Sequence, residues 1–144
     1  MANKAYENQK RALNYSKTRV EKAGRDIRHG CDGEVRRESI EIIQNFREVH
    51  LYPLMLIKNH LTRSAKKVTK KALVVRRLKR LPTIIDKLER PTLDGQSTNA
   101  ISLSRMQDIG GCRAILANIQ QVKNFIQFYG KVNRYIKLSG QMIT

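Results

Sequence analysis

The chain has 144 residues, 40% of them hydrophobic, 6% aromatic and none tryptophan. That supports one domain with a core of Leu, Ile and Val, and it excludes a disordered tail. Its 29 Lys and Arg against 12 Asp and Glu give a formal charge of +17, a field that favours polyanions such as nucleotides, RNA, DNA or acidic membrane surfaces and says nothing about fold.

No apolar run approaches the roughly 20 residues that span a bilayer. No secretory leader pattern is visible, and Cys31 and Cys112 lie too far apart for a metal-ligand spacing. The expectation is a reduced, cytoplasmic protein with no membrane partner.

In chain order, residues 5–28 carry good helix formers and no proline, with Leu13, Val20 and Ile27 as a narrow apolar stripe and Gly24 as a weak point. "HGCDGEV" breaks that helix. A second helix is predicted from Glu34 to Val49, where Val35, Ile42, Phe46 and Val49 share a face that Ile43 widens. Pro53 fits the first turn of a third helix, with Leu54, Ile57 and Leu61 inward. "ALVV" (72–75) reads as a short buried strand.

"LPTIIDKLER" reads as a helix opened by Pro82 and stopped by Pro91, and "PTLDGQSTNA" as a polar surface loop. "ISLSRMQD" suggests a short helix ending near Gly110 and Gly111. "CRAILANI" is the second strand candidate. "QQVKNFIQFYGKVNRYI" is a last helix with Val122, Phe125 and Ile126 on one face. The order predicts an α+β fold in one domain, helical over 1–71 and mixed over 72–144. Two short strands make a weak sheet alone, so an open edge invites self-association.

Two groups of residues could carry chemistry. Between Glu48 and Asp86 lie ten Lys or Arg and no acid. At the end of that stretch Arg77 and Lys79 follow the first strand, and Lys87 and Arg90 lie three apart on the next helix. A strand end leading into a helix start presents free backbone N–H groups and the positive end of the helix dipole, so four cations there suit a polyphosphate. A solvated basic face is the alternative.

The second group is "DIGGCR" (108–113). A carboxylate at the mouth of a strand, with glycines that let a ligand near the backbone, suits magnesium bridging phosphate oxygens. A plain helix-to-strand turn is the alternative. No Walker loop is present, His50 and His60 have no ligand spacing with either cysteine, and His29 falls in a loop.

Taken together and in this order, "RLK" (77–79), "TIIDK" (83–87) and "DIGGCR" (108–113) resemble the RelA/SpoT alarmone synthetase domain. "NFREVHLYPLMLIKNHL" looks like the helical lead-in of its small or toxin-like members. The resemblance covers roughly residues 10–130. It implies a nucleotidyltransferase-like synthetase fold and transfer of the β,γ-pyrophosphate of ATP to the 3′-hydroxyl of a guanine nucleotide, or in toxin-like relatives to the 3′ end of tRNA.

By that resemblance Arg77, Lys79 and Lys87, with Arg90 nearby, would grip ATP. Asp108 would hold Mg2+, and Arg113 would support that end of the site. The family's second essential carboxylate, in a later Glu-x-Gln-x-Arg strand, has no counterpart here, since no acidic residue follows Asp108. "RYIKLSGQMIT" only faintly echoes the acceptor loop. The implied picture is a C-terminally truncated donor half, weak or inactive alone. An ATP- or RNA-binding regulatory module is the alternative.

Overall fold

The computed structural model describes residues 4–91 and 101–132. Its elements are α1 (Lys4–Glu7), α2 (Lys17–Arg28), α3 (Gly33–Glu48), α4 (Leu51–Val68), β1 (Leu73–Leu78), α5 (Leu81–Glu89), a single 3-10 turn (Leu103–Arg105), β2 (Gly110–Ile115) and α6 (Ile119–Val132). β1 and β2 pair as a two-stranded antiparallel sheet. The class is α+β, as the element order implied. No helix among the described residues is long and apolar enough to cross a membrane. The loop over 92–100, the end of the last helix and "RYIKLSGQMIT" fall outside the described residues.

The chain divides into two compact units, Met1–Ile57 with Arg76–Gly111 and Lys58–Val75 with Cys112–Thr144. In the first, α2 packs on α3 and α5. Its core joins Val20, Ala23 and Ile27 of α2, Ile42 and Ile43 of α3, and Ile84, Ile85 and Leu88 of α5 to Leu103, Met106 and Ile109. In the second, Ala65, Ala72 and Val74 are buried, with Leu61, Ala114, Leu116 and Phe125 packed against them.

Several expected elements shift for identifiable reasons. The helix expected over 5–28 is two pieces, because Ser16 caps α2 by accepting from the Arg19 N–H at 3.2 Å. Ahead of that cap the chain is held by α3: Asn45 accepts from the Asn14 N–H at 2.9 Å and donates to the Ala12 carbonyl at 3.0 Å. Leu13 is therefore exposed while Val20 and Ile27 are buried. α2 ends in a Schellman motif: Cys31 N–H bonds Asp26 O, Gly30 N–H bonds Ile27 O, and Gly30 sits at φ +81°.

Gly24 is a site of close approach rather than a weak point, since a Cβ there would lie 3.1 Å from the Leu103 Cβ. On α3, Val35 is exposed and Ser39 takes an inward place beside Ile42 and Ile43. α4 begins at Leu51 and buries Leu54 and Met55, whereas Ile57 is exposed. On α6 Tyr129 is buried, with its ring beside those of Phe125 and His60, and Ile126 is exposed. His50 Nδ1 pairs with the Phe46 carbonyl at 2.8 Å, consistent with a structural histidine.

"ISLSRMQD" forms only the 3-10 turn. β1 runs three residues past Val75, and β2 starts at Gly110 and ends at Ile115. Leu73, Val75 and Ile115 stand half exposed on these strands.

Ile43 is fully buried in the first core. Ile43→Ala should cost about 2–5 kcal/mol in urea unfolding, because the cavity adds to the lost transfer energy. A change below about 1 kcal/mol would contradict the packing described.

Candidate functional site

Strand pairing builds the site. The Lys79 N–H donates to the Ile109 carbonyl at 2.7 Å, one step beyond the ends of both strands. That bond sets Lys79 against the turn carrying Asp108. Arg47 of α3 donates from Nε to the Lys79 carbonyl at 2.7 Å, so both backbone polar groups of Lys79 are engaged. α5 follows at once, with Pro82 in its first turn and no side-chain cap at Arg80. Ile84, Ile85 and Leu88 anchor it in the core, which leaves Lys87 on the flank that faces Asp108.

The result is a two-to-one ion set. Lys79 Nζ lies 2.7 Å from Asp108 Oδ2, and Lys87 Nζ lies 2.9 Å from Asp108 Oδ1. The lysine side chains are 14% and 29% exposed and the carboxylate 52%, so the stems are packed while the charged tips meet at the surface. Hydrogen bonds from Lys79 and then Lys87 hold the Asp108 carboxyl at about 2, against an ordinary 3.8. Two ammonium groups on one carboxylate leave the set with one net positive charge.

The structure thus brings together Lys79, Lys87 and Asp108, which lie 29 and 21 positions apart in sequence. Arg77 is exposed within β1, not beyond it, and Arg90 is the exposed residue closing α5, not a residue of its helical face. Neither is among the partners of Asp108. Arg113 is exposed on β2, in the second unit. Arg47 was not legible as part of this region, because nothing in "NFREVH" marks it as the residue that binds a backbone carbonyl 32 positions later. Gly110 and Gly111 are strand residues without positive φ, and a Cβ at Gly111 would meet nothing within 4 Å. The surface beside Gly111 is open.

Magnesium needs a nearly octahedral shell of oxygens, commonly one or two carboxylates completed by phosphates and water. Among the described residues there is no group of three or more His, Cys, Asp or Glu that could hold a metal. Asp108 offers one carboxylate whose two oxygens are engaged by lysines. Such a residue fits magnesium as the companion of bound phosphates, not as an ion held by protein groups alone. Neither cysteine is in a disulfide.

No protein-family model matches the chain, and no curated protein is significantly similar to it.

The depressed Asp108 carboxyl makes a sign-specific expectation. Its contribution to stability is present above pH 3.8 and fades as pH falls toward about 2. Half exposure limits that contribution to under about 1 kcal/mol. Carboxyl NMR should place the Asp108 midpoint near 2 and move it upward in Lys79→Ala; an unshifted midpoint in both proteins would contradict the ion set.

Proposed function

We propose that this chain binds ATP through Lys79 and Lys87, as the donor part of a RelA/SpoT-type pyrophosphotransferase with a nucleotidyltransferase-like core. The observation that carries the reading is the convergence of Lys79, Lys87 and Asp108. Three residues picked out from separate sequence motifs meet within 2.9 Å. A random scatter of 29 cations has no reason to gather two well-packed lysines around the one carboxylate that follows Asp94.

The chemistry follows from charge. A polyphosphate carries more negative charge than one carboxylate, so it competes with Asp108 for the two ammonium groups and gains charge-assisted hydrogen bonds from them. The stems of Lys79 and Lys87 are packed, so little side-chain entropy is lost when the phosphates bind. Arg77, exposed on β1, adds field at the strand end, and the uncapped start of α5 adds backbone donors. Asp108 would hold magnesium once phosphate oxygens complete its shell, and the ion supplies neutralisation of phosphate charge.

Phosphoryl transfer is catalysed by positioning and charge neutralisation. In the proposed reaction the acceptor 3′-hydroxyl gives up its proton to solvent as its oxygen bonds to the β-phosphorus of ATP, the bond from that phosphorus to the α–β bridging oxygen breaks, and AMP departs with that oxygen. The acceptor is a guanine nucleotide or a tRNA 3′ end.

Calorimetric titration with ATP and magnesium tests the reading. Lys79→Ala and Lys87→Ala should each weaken ATP about tenfold, the worth of one charge-assisted bond. Unchanged affinity in both would overturn it. In that case a steep loss of RNA binding with salt would favour a general nucleic-acid-binding surface. Chromatography of labelled ATP with GTP or tRNA then reports whether AMP forms.

Asp108→Asn separates its two roles. It should tighten inorganic tripolyphosphate in chelator, by removing the internal competitor, and weaken ATP in magnesium. Weakening under both conditions would make Asp108 a structural partner of the lysines only.

A further inference from the structure

A pocket of about 420 Å³ lies between α2 and the segment 101–105, within the first unit. Its α2 wall is one helix face: Lys17, Glu21, Gly24, Arg25 and Arg28 recur at spacings of three, four or one. The opposite wall is the 3-10 turn with Ser102, Ser104 and Arg105. None of these residues belongs to the Lys79–Asp108 set.

The walls are held in place. Glu21 accepts from Ser102 Oγ at 2.6 Å and from the Ser104 N–H at 3.0 Å, which ties the turn to the helix. Burial pushes the Glu21 carboxyl up, but those hydrogen bonds outweigh it and hold the group below its ordinary value, so the carboxylate is ionised and committed. Arg28 donates to the Ile101 carbonyl at 2.7 Å. The floor is Leu103, 1% exposed and seated against Gly24, where no side chain fits without displacing it.

That leaves a cavity with preformed walls and an unbalanced charge. Lys17, Arg25, Arg28 and Arg105 face one carboxylate, itself engaged by two serines. Among the described residues none of the four makes an ion pair within 4 Å, and only Arg25 is near enough to Glu21 to help hold its carboxyl down. Elsewhere on the same helix the cations are paired: Arg19 with Glu38, and Lys22 with Asp26. The unpaired ones are those that line the pocket. Guanidinium groups prefer planar, multidentate oxyanions, above all phosphate. The volume falls in the range of small-molecule sites, not of a flat polynucleotide surface.

We propose that this pocket is a second binding site, specific for a small molecule carrying adjacent phosphoryl groups and distinct from the Lys79–Lys87 site. Arg25 and Arg105 hold the phosphates from opposite walls, with Lys17 at the rim. Glu21 acts as a positioning residue by fixing the turn.

The test is calorimetric titration of the full chain with inorganic tripolyphosphate in chelator, against a Lys79→Ala/Lys87→Ala background that removes the first site. One binding event should remain there. Adding Arg25→Gln/Arg105→Gln should weaken it at least about tenfold, with the far-ultraviolet circular dichroism unchanged because both side chains are exposed. Arg25→Lys/Arg105→Lys should restore part of the affinity. Lys70→Gln/Lys71→Gln, an equal loss of charge on exposed residues outside the pocket, should leave it intact. Absence of binding in the starting background, or equal weakening by the Lys70/Lys71 pair, would overturn the proposal. Both results leave the reading of the Lys79–Lys87 site to be judged by its own variants.

Discussion

The hydrogen bond from the Lys79 N–H to the Ile109 carbonyl is the contact on which the candidate site depends. β1 and β2 are short, and a two-stranded sheet is marginal by itself. This extra rung, with Arg47 capping the carbonyl of the same residue, fixes where the chain leaves the sheet. Lys79 then lies beside Asp108, and α5 starts within two residues, so its eighth-following residue, Lys87, reaches the other carboxylate oxygen. A slip of one residue would turn Lys79 to the opposite face of the sheet and dissolve the set.

The apolar core serves the same geometry from below. Leu88 and Ile84 are fully buried neighbours of Lys87 along α5, and Ile109 is buried next to Asp108. Lys87 and Asp108 are therefore each adjacent to an anchored apolar residue. Packing of α2 and α3 on α5 holds the register that lets two cations share one anion. The sharing is incomplete neutralisation, and the remaining positive charge is what the proposed phosphate binding would draw on. The same excess recurs in the pocket between α2 and residues 101–105. There a single carboxylate is spent on holding the wall, and the cations around it make no close ion pair among the described residues.

Much of this was legible in the residues. The α+β order, the helices α3 and α5, and both strands follow from apolar spacing and from the prolines at 53 and 82. Lys79, Lys87 and Asp108 could be singled out because a carboxylate is conspicuous in a chain of +17. Less legible were the features that depend on a distant partner. Leu13 fits a helical stripe, yet Asn45 captures the backbone there and Ser16 starts the helix late. Val35 and Ile57 fit their stripes and are exposed, because periodicity assigns a face without stating how far the neighbouring element extends. Arg90 was expected on the face of Lys87, but the helix ends at Glu89 ahead of Pro91.

The sequence by itself determined which residues are chemically unusual: the acid-free stretch from 49 to 85, the lone Asp108, and the alternation of helix formers with two apolar strand candidates. Those are properties of composition and local spacing, and local spacing is set by 3.6- and 2-residue periods that any chain must obey. The tertiary structure alone decided that both Asp108 oxygens would be held by lysines, that Arg47 would secure Lys79, and that Lys17, Arg25, Arg28 and Arg105 would surround one cavity. Those outcomes turn on hydrogen bonds and contacts between residues tens of positions apart. Their partners are chosen by packing of the core rather than by any pattern written locally in the chain.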